Sequence, residues 1–248
     1  MNSRTRNPFA RSVKSYRQAA LVQRKVAARC CSLVPGKKFP RVLEIGAGGG
    51  LLTGFCLERL QNIDLYVALD VSREMLSLVP GGKAVLIQAD GEEAPFRSKT
   101  FDLILSSSAM QWYSRGLTSI PKNLNLLKKG GFFSLAYFVR GTFREMERIS
   151  SMTGFGSLHL MARAREHVQA FQDRGLRPQW EIIEHTLRFK SVSDFLKSHK
   201  QTGATYTSSG ARFGKKAYYD FCRTYEKIYG DRQGIPVSYR VLHLWGSR

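Results

Sequence analysis

Val42-Leu43-Glu44-Ile45-Gly46-Ala47-Gly48-Gly49-Gly50 carries a short apolar run straight into a cluster of glycines. The run from Arg41 to Ile45 has the length and apolar content of a buried strand, and Leu51 to Leu60 then reads as a helix. Glycines at such a turn let the backbone approach a ligand closely. A dinucleotide-binding fingerprint needs Gly or Ala at position 51, where this chain has Leu51. An acid inside the strand end, Glu44, is also foreign to that fingerprint. It is expected where the ligand carries positive charge.

The same rhythm continues downstream. Leu65 to Asp70 is the next strand, and Ser72 caps a helix that ends before Pro80-Gly81-Gly82. Ala84 to Gln88 is a third strand, running to Ala89-Asp90. Phe101 to Ser106 is a fourth. Leu117 to Leu127 is helical, and Gly130-Gly131 turns the chain into a fifth strand, Phe132 to Phe138. Alternating strands and helices predict a doubly wound α/β fold, a parallel sheet with helices on both faces.

Upstream, Phe9, Val13, Tyr16 and Ala20 share one helical face, so residues 8–34 read as an amphipathic helix that Pro35-Gly36 stops. After Arg140 the rhythm breaks. Residues 142–175 and 191–229 are mostly helical, Trp180 to Phe189 is a sixth strand, and 237–245 is the last. The expected organisation is one domain over 1–248. It has an N-terminal cover helix (8–34), a ligand-binding core (40–140), helical covers (141–179 and 190–235) and a closing strand (236–246). The covers are expected over the carboxyl ends of the strands, where open α/β sheets bind ligands.

Three acids end three successive strands. Glu44 suits a sulfonium with an amino-acid tail. Asp70 falls about 20 residues after the last glycine, the distance at which an acid meets ribose hydroxyls. Asp90 can meet an adenine amino group. Gly46, Gly48, Gly50, Val71, Gly91 and Ser106 complete the expected cofactor-binding set.

Composition narrows the classes. The chain has 248 residues, 43% hydrophobic and 23% charged, as expected of a folded protein rather than a disordered one. No stretch is long and apolar enough to span a membrane, so no membrane role and a cytoplasmic location are expected. Cys30, Cys31, Cys56 and Cys222 form no C-x-x-C pair and no His/Cys cluster at zinc spacing, so no metal is expected. Lys and Arg number 39 against 19 acids, a net charge of +20. Such a field draws anionic partners. The first acid is Glu44, so the N-terminus also reads as a candidate transit peptide.

Glu44-x-Gly46-x-Gly48-x-Gly50, Leu69-Asp70-Val71-Ser72-x-x-Met75-Leu76 and Phe101-Asp102-Leu103-Ile104 resemble the motifs of the class I S-adenosylmethionine (SAM)-dependent methyltransferases. A narrower resemblance reaches nearly the whole chain, to the BioC-type malonyl-acyl-carrier-protein O-methyltransferases of biotin synthesis. It rests on Phe9-x-Arg11-x-x-x-x-Tyr16 with Leu21-x-Gln23, Ser107-x-x-x-Gln111-Trp112, the Gly141 segment, Leu196-Lys197-x-x-x-x-x-Gly203-Ala204, and Tyr229-Gly230 with Pro236-x-x-Tyr239.

The resemblance implies a Rossmann-like methyltransferase sheet with an N-terminal helix and helical cover insertions. It implies SAM as cofactor, and methylation of a malonyl carboxylate on an acidic acyl carrier protein (ACP). It makes residues 9–23 a structural helix, which weighs against the transit-peptide reading. It also marks Tyr16, Gln111, Trp112 and Arg140 as the catalytic candidates. The alternatives are a methyltransferase for RNA or another small molecule, which the high charge keeps open, and a SAM-binding assembly factor or protein hydroxylase. No separate RNA-binding module is apparent.

Overall fold

In the computed structural model the described residues are 19–80, 82–156, 159–202 and 214–248. Tyr16, residues 8–18 of the expected first helix, and the Gly203-Ala204 motif lie outside them. Helix α1 (Leu21–Ser32) buries Val22, Val26, Ala27, Cys30 and Cys31, one face at helical spacing. That face lies against the helix after the glycine loop and against the middle of the sheet.

The core alternates as expected: β1 (Arg41–Ile45), α2 (Leu51–Arg59), β2 (Leu65–Asp70), α3 (Arg73–Leu76), β3 (Ala84–Gln88), β4 (Phe101–Ser107), α4 (Gly116–Asn123) and β5 (Leu127–Phe138). A short strand, β6 (Arg140–Phe143), was not expected. The remainder is α5 (Arg144–Thr153), α6 (Ala164–Gln172), β7 (Gln179–Phe189), α7 (Val192–Gln201), α8 (Lys215–Tyr229) and β8 (Ile235–Ser247). Strand β5 starts earlier than its sequence suggests. Opposite Gly130 and Gly131 the register with β4 shifts between Phe101 and Leu103, and Gly130 takes φ +76° to accommodate it.

The seven-stranded sheet has the order β3-β2-β1-β4-β5-β8-β7. The expectation of a wholly parallel sheet needs correction at one strand. β8 is antiparallel to both β5 and β7, so β8 alone runs against the rest. The cause is the second cover. α7 and α8 lie between the end of β7 and the start of β8, and Phe189 pairs with Ile235. The chain therefore re-enters the sheet from the end at which it left, and must run backwards.

The two faces have separate cores. Val42, Leu103, Leu105 and Val241 pack with α1, α2 and the covers α5, α7 and α8. Leu43, Ile45, Ile104 and Leu242 pack with Ile120 and Leu124 at α4 and with Val168 and Phe171 of α6. Among the described residues no helix is long and apolar enough to cross a membrane.

Candidate active site

A cleft opens where β1, β2 and β4 end. Ile45, Gly46, Gly48, Asp70, Val71, Met75, Gly91, Ser107, Ser108, Ala109, Trp112 and Tyr113 line it. The glycine loop shapes its floor. Gly46 has φ +73°, and its N–H donates to the carbonyl of Leu69 at 2.7 Å. A side chain at Gly46 would overlap Cβ of Ala109, so glycine is required by space as well as by backbone angle. Gly50 serves packing instead. It precedes α2 at φ +76°, and a Cβ there would meet Val79 at 2.8 Å and Pro80 at 2.7 Å.

Asp70 sits at the centre of the wall. Its Oδ2 accepts from Gly48 N at 2.8 Å, and its Oδ1 accepts from Ser72 N at 2.9 Å. Burial pushes its carboxyl above the usual range, partly offset by the backbone N–H groups of Ser72, Gly48 and Val71. Each carboxylate oxygen has acceptor capacity left, as a ribose diol requires. Asp90 does not line the cleft, but its Oδ1 caps the turn of Gly91 by accepting from Glu92 N at 2.9 Å. Ser106 also lies outside. β4 runs one residue further than expected, so the strand-end hydroxyls are those of Ser107 and Ser108. Ser108 takes φ +55°, unusual for a residue other than glycine, and its buried Oγ has no hydrogen-bond partner among the described residues.

Glu44 calls for a different correction. Strand alternation places it with Val42 on the face beneath α1 and α2, away from the cleft. Its Oε2 accepts from Thr53 Oγ1 and from Tyr66 OH, each at 2.6 Å, and the residue is 1% exposed. Burial pushes its carboxyl up to about 7, the two hydroxyls pulling partly back.

A consequence is testable. With the folded value near 7 and the ordinary one near 4.5, the folded protein holds the extra proton between those pH values. The stabilisation is complete below pH 4.5 and is lost as pH rises through 7. Glu44→Gln keeps an oxygen for both hydroxyls and removes the charge. It is expected to raise stability at pH 8 by roughly 2–3 kcal/mol over wild type, with little gain near pH 4.5. SAM affinity should change less than about threefold, well inside the interval that separates bound from lost contacts. Thermal unfolding at the two pH values and calorimetry check both parts. A large loss of SAM affinity would return Glu44 to the cofactor site.

Beyond Trp112 and Tyr113 the cleft joins a larger chamber, which those two residues also line. Its other walls are Met110, Gln111, residues 114–118, Phe138, residues 159–162 and His167. Gln111 is held by its Nε2, which donates to the carbonyl of Ser108 at 2.7 Å. His159 Nε2 lies 2.8 Å from the carbonyl of Gln111, and its ring sits 5.1 Å from that of Trp112. His167 packs edge-on to Tyr137, and burial depresses its imidazole to about 4, so it is neutral at pH 7.

Glu92 fixes the 114–119 wall. It accepts from Ser114 N and Oγ, Arg115 N and Ser119 Oγ at 2.7–3.0 Å. Burial alone would raise its carboxyl, but these bonds outweigh that and hold it below the usual range. Arg140 is exposed and lines neither cavity. Its backbone N–H donates to the carbonyl of Ala162, a chamber residue, so its base stands at the chamber rim.

Sequence reasoning missed Ser108, Tyr113, Glu92, His159 and His167. Tyr113 adjoins the expected Gln111-Trp112 pair and could have been included with it. The two histidines come from a cover whose approach no local pattern announces.

The geometry has counterparts among known proteins. A methyltransferase-domain family pattern matches residues 43–135. The YcgJ protein from Bacillus subtilis shares the fold with a TM-score of 0.63 at 15% identity, covering 90% of this chain and 98% of that one. A phosphoethanolamine N-methyltransferase 2 of Haemonchus contortus, solved with phosphomonomethylethanolamine and S-adenosylhomocysteine, gives 0.55 at 15% identity over 95% of this chain and 57% of that one. The malonyl-acyl-carrier-protein O-methyltransferase of Geobacter sulfurreducens is 29% identical across 99% of this chain and 98% of its own length. That of Halalkalibacterium halodurans is 27% identical across 95% and 94%.

Sheet order, glycine loop and strand-end aspartate together define a class I SAM-dependent methyltransferase, with SAM as its cofactor. Within that class the chain is similar over nearly its whole length to malonyl-acyl-carrier-protein O-methyltransferases.

Proposed function

We propose that the protein transfers the methyl group of SAM to the free carboxylate of a malonyl thioester on an acyl carrier protein, early in pimeloyl assembly for biotin, in the cytoplasm. One observation supports this above others. The likeness to the named O-methyltransferases extends over the covers that build the acceptor chamber, not over the cofactor core alone. The ester product hides the carboxylate charge, so that the unit can be elongated as a fatty acid is.

When bound, SAM supplies a methyl group on a positively charged sulfur. The chain's own residues do the rest. Gly46, Gly48 and Asp70 would hold the cofactor in the cleft that Trp112 and Tyr113 also line. Gln111, Trp112 and His159 form the wall against which the acceptor lies. Arg140, at the rim, is the cation that meets the malonyl carboxylate. A carboxylate is already ionised at neutral pH, so the step needs no general base. Alignment of the two reactants can supply about 7–11 kcal/mol of the barrier reduction. Tyr16, which the resemblance marks as a catalytic candidate, lies outside the described residues.

The direct test offers labelled SAM to malonyl carrier protein, acetyl carrier protein and total RNA in parallel. Label is expected on the malonyl carrier alone. Label on RNA, or SAM binding without transfer, would replace this function with one of the alternatives.

A further inference from the structure

The chamber does not close at its outer wall. Leu117 and Thr118, on the first turn of α4, line it, and the same two residues line a second, more open groove between α4 and α6. The cations of that groove are Arg165 and Arg174, both exposed. Its acids are Glu166 and Asp173, and α6 uses both locally. Glu166 accepts from the backbone N–H of Arg163 at 2.5 Å, and Asp173 accepts from the side-chain amide of Gln169 at 2.8 Å. Neither guanidinium has an ion pair or hydrogen bond among the described residues.

We propose that this groove is the docking track for the carrier protein: its phosphopantetheine arm leaves the chamber past Leu117 and Thr118, and the arm's phosphodiester is received by Arg165 and Arg174. The inference rests on the function proposed above. Three features carry it. The groove is continuous with the acceptor chamber through two shared residues. Its inner end presents Leu117, 39% exposed, and the chamber it opens from presents Leu160, 88% exposed, apolar surface that suits the neutral part of the arm. Its outer end offers two uncommitted guanidinium groups, whose planar donor forks match phosphate oxygens. The track also selects a face. The cations of α5, α7 and α8 belong to helices packed on the opposite side of the sheet. An acidic carrier drawn to the +20 field would thus be positioned by α4 and α6, not by the larger cover.

The test compares malonyl carrier protein with malonyl-pantetheine, which has neither phosphate nor protein. In Arg165→Glu/Arg174→Glu the KM for the carrier is expected to rise at least about tenfold, with kcat within about twofold, and the constants for malonyl-pantetheine are expected to hold. Arg165→Gln/Arg174→Gln should give a smaller rise and a weaker dependence of KM on salt. Lys215→Glu/Lys216→Glu, on α8, should leave both acceptors within about twofold. An unchanged carrier KM in the Arg165/Arg174 variants, a larger rise from the α8 pair, or an equal loss on both acceptors would overturn the track. A wild-type enzyme that methylates neither acceptor would instead refute the proposed function, and the track with it.

Discussion

Asp70→Ala is expected to weaken SAM binding at least about tenfold, because hydrogen bonds to a charged acceptor are worth about 1.5–3 kcal/mol each. Two losses combine. On the proposed reading the ribose loses its acceptor, and the N–H groups of Gly48 and Ser72, now bound to the two carboxylate oxygens, lose theirs. The second loss loosens the glycine loop itself. Asp70→Asn keeps one acceptor oxygen and should fall between wild type and alanine. Calorimetric titration with SAM, on variants shown by circular dichroism to be folded, reads the effect. Unchanged affinity in the alanine variant would remove Asp70 from the ribose site.

Arg140→Gln is expected to lower kcat/KM for malonyl carrier protein about thirtyfold or more, while the Kd for SAM stays the same. The argument rests on charge and place. The proposed acceptor is an anion; among the chamber's side chains His167 is neutral at pH 7, and the Arg115 guanidinium is engaged by Glu93 at 2.6 Å. Arg140 is exposed, with its backbone tied to the chamber at Ala162, and the bidentate fork of a guanidinium matches a carboxylate. Arg140→Lys keeps the charge but not the fork and should recover only part of the rate. A wild-type kcat/KM in Arg140→Gln would assign the carboxylate to another group.

Much of the fold was legible because its signals are local. Apolar runs of strand length, helix stops such as Pro35-Gly36, and glycines at strand ends each act over a few residues. The direction of β8 was not legible, since it depends on where α7 and α8 return the chain to the sheet. The site divides in the same way. Asp70 was expected at the cleft from its distance along the chain, a consequence of the strand–helix–strand repeat, and it lines the cleft. Glu44 was read into the cleft because it ends a strand. The two-residue alternation that sets it beside Val42 was present in the sequence, but only the packing of α2 and Tyr66 shows which face is covered.

The sequence by itself determined the class: an apolar strand, a glycine loop and an aspartate at the next strand end can be spaced in this way by the repeat of one supersecondary unit. Only the tertiary structure decided which residues line the chamber. The chamber is built from the turn after β4, the first turn of α4, the segment before α6 and His167 within it, pieces that packing across the sheet brings together. Contacts between such distant segments follow from the whole fold's burial of apolar surface, which no short stretch of sequence encodes.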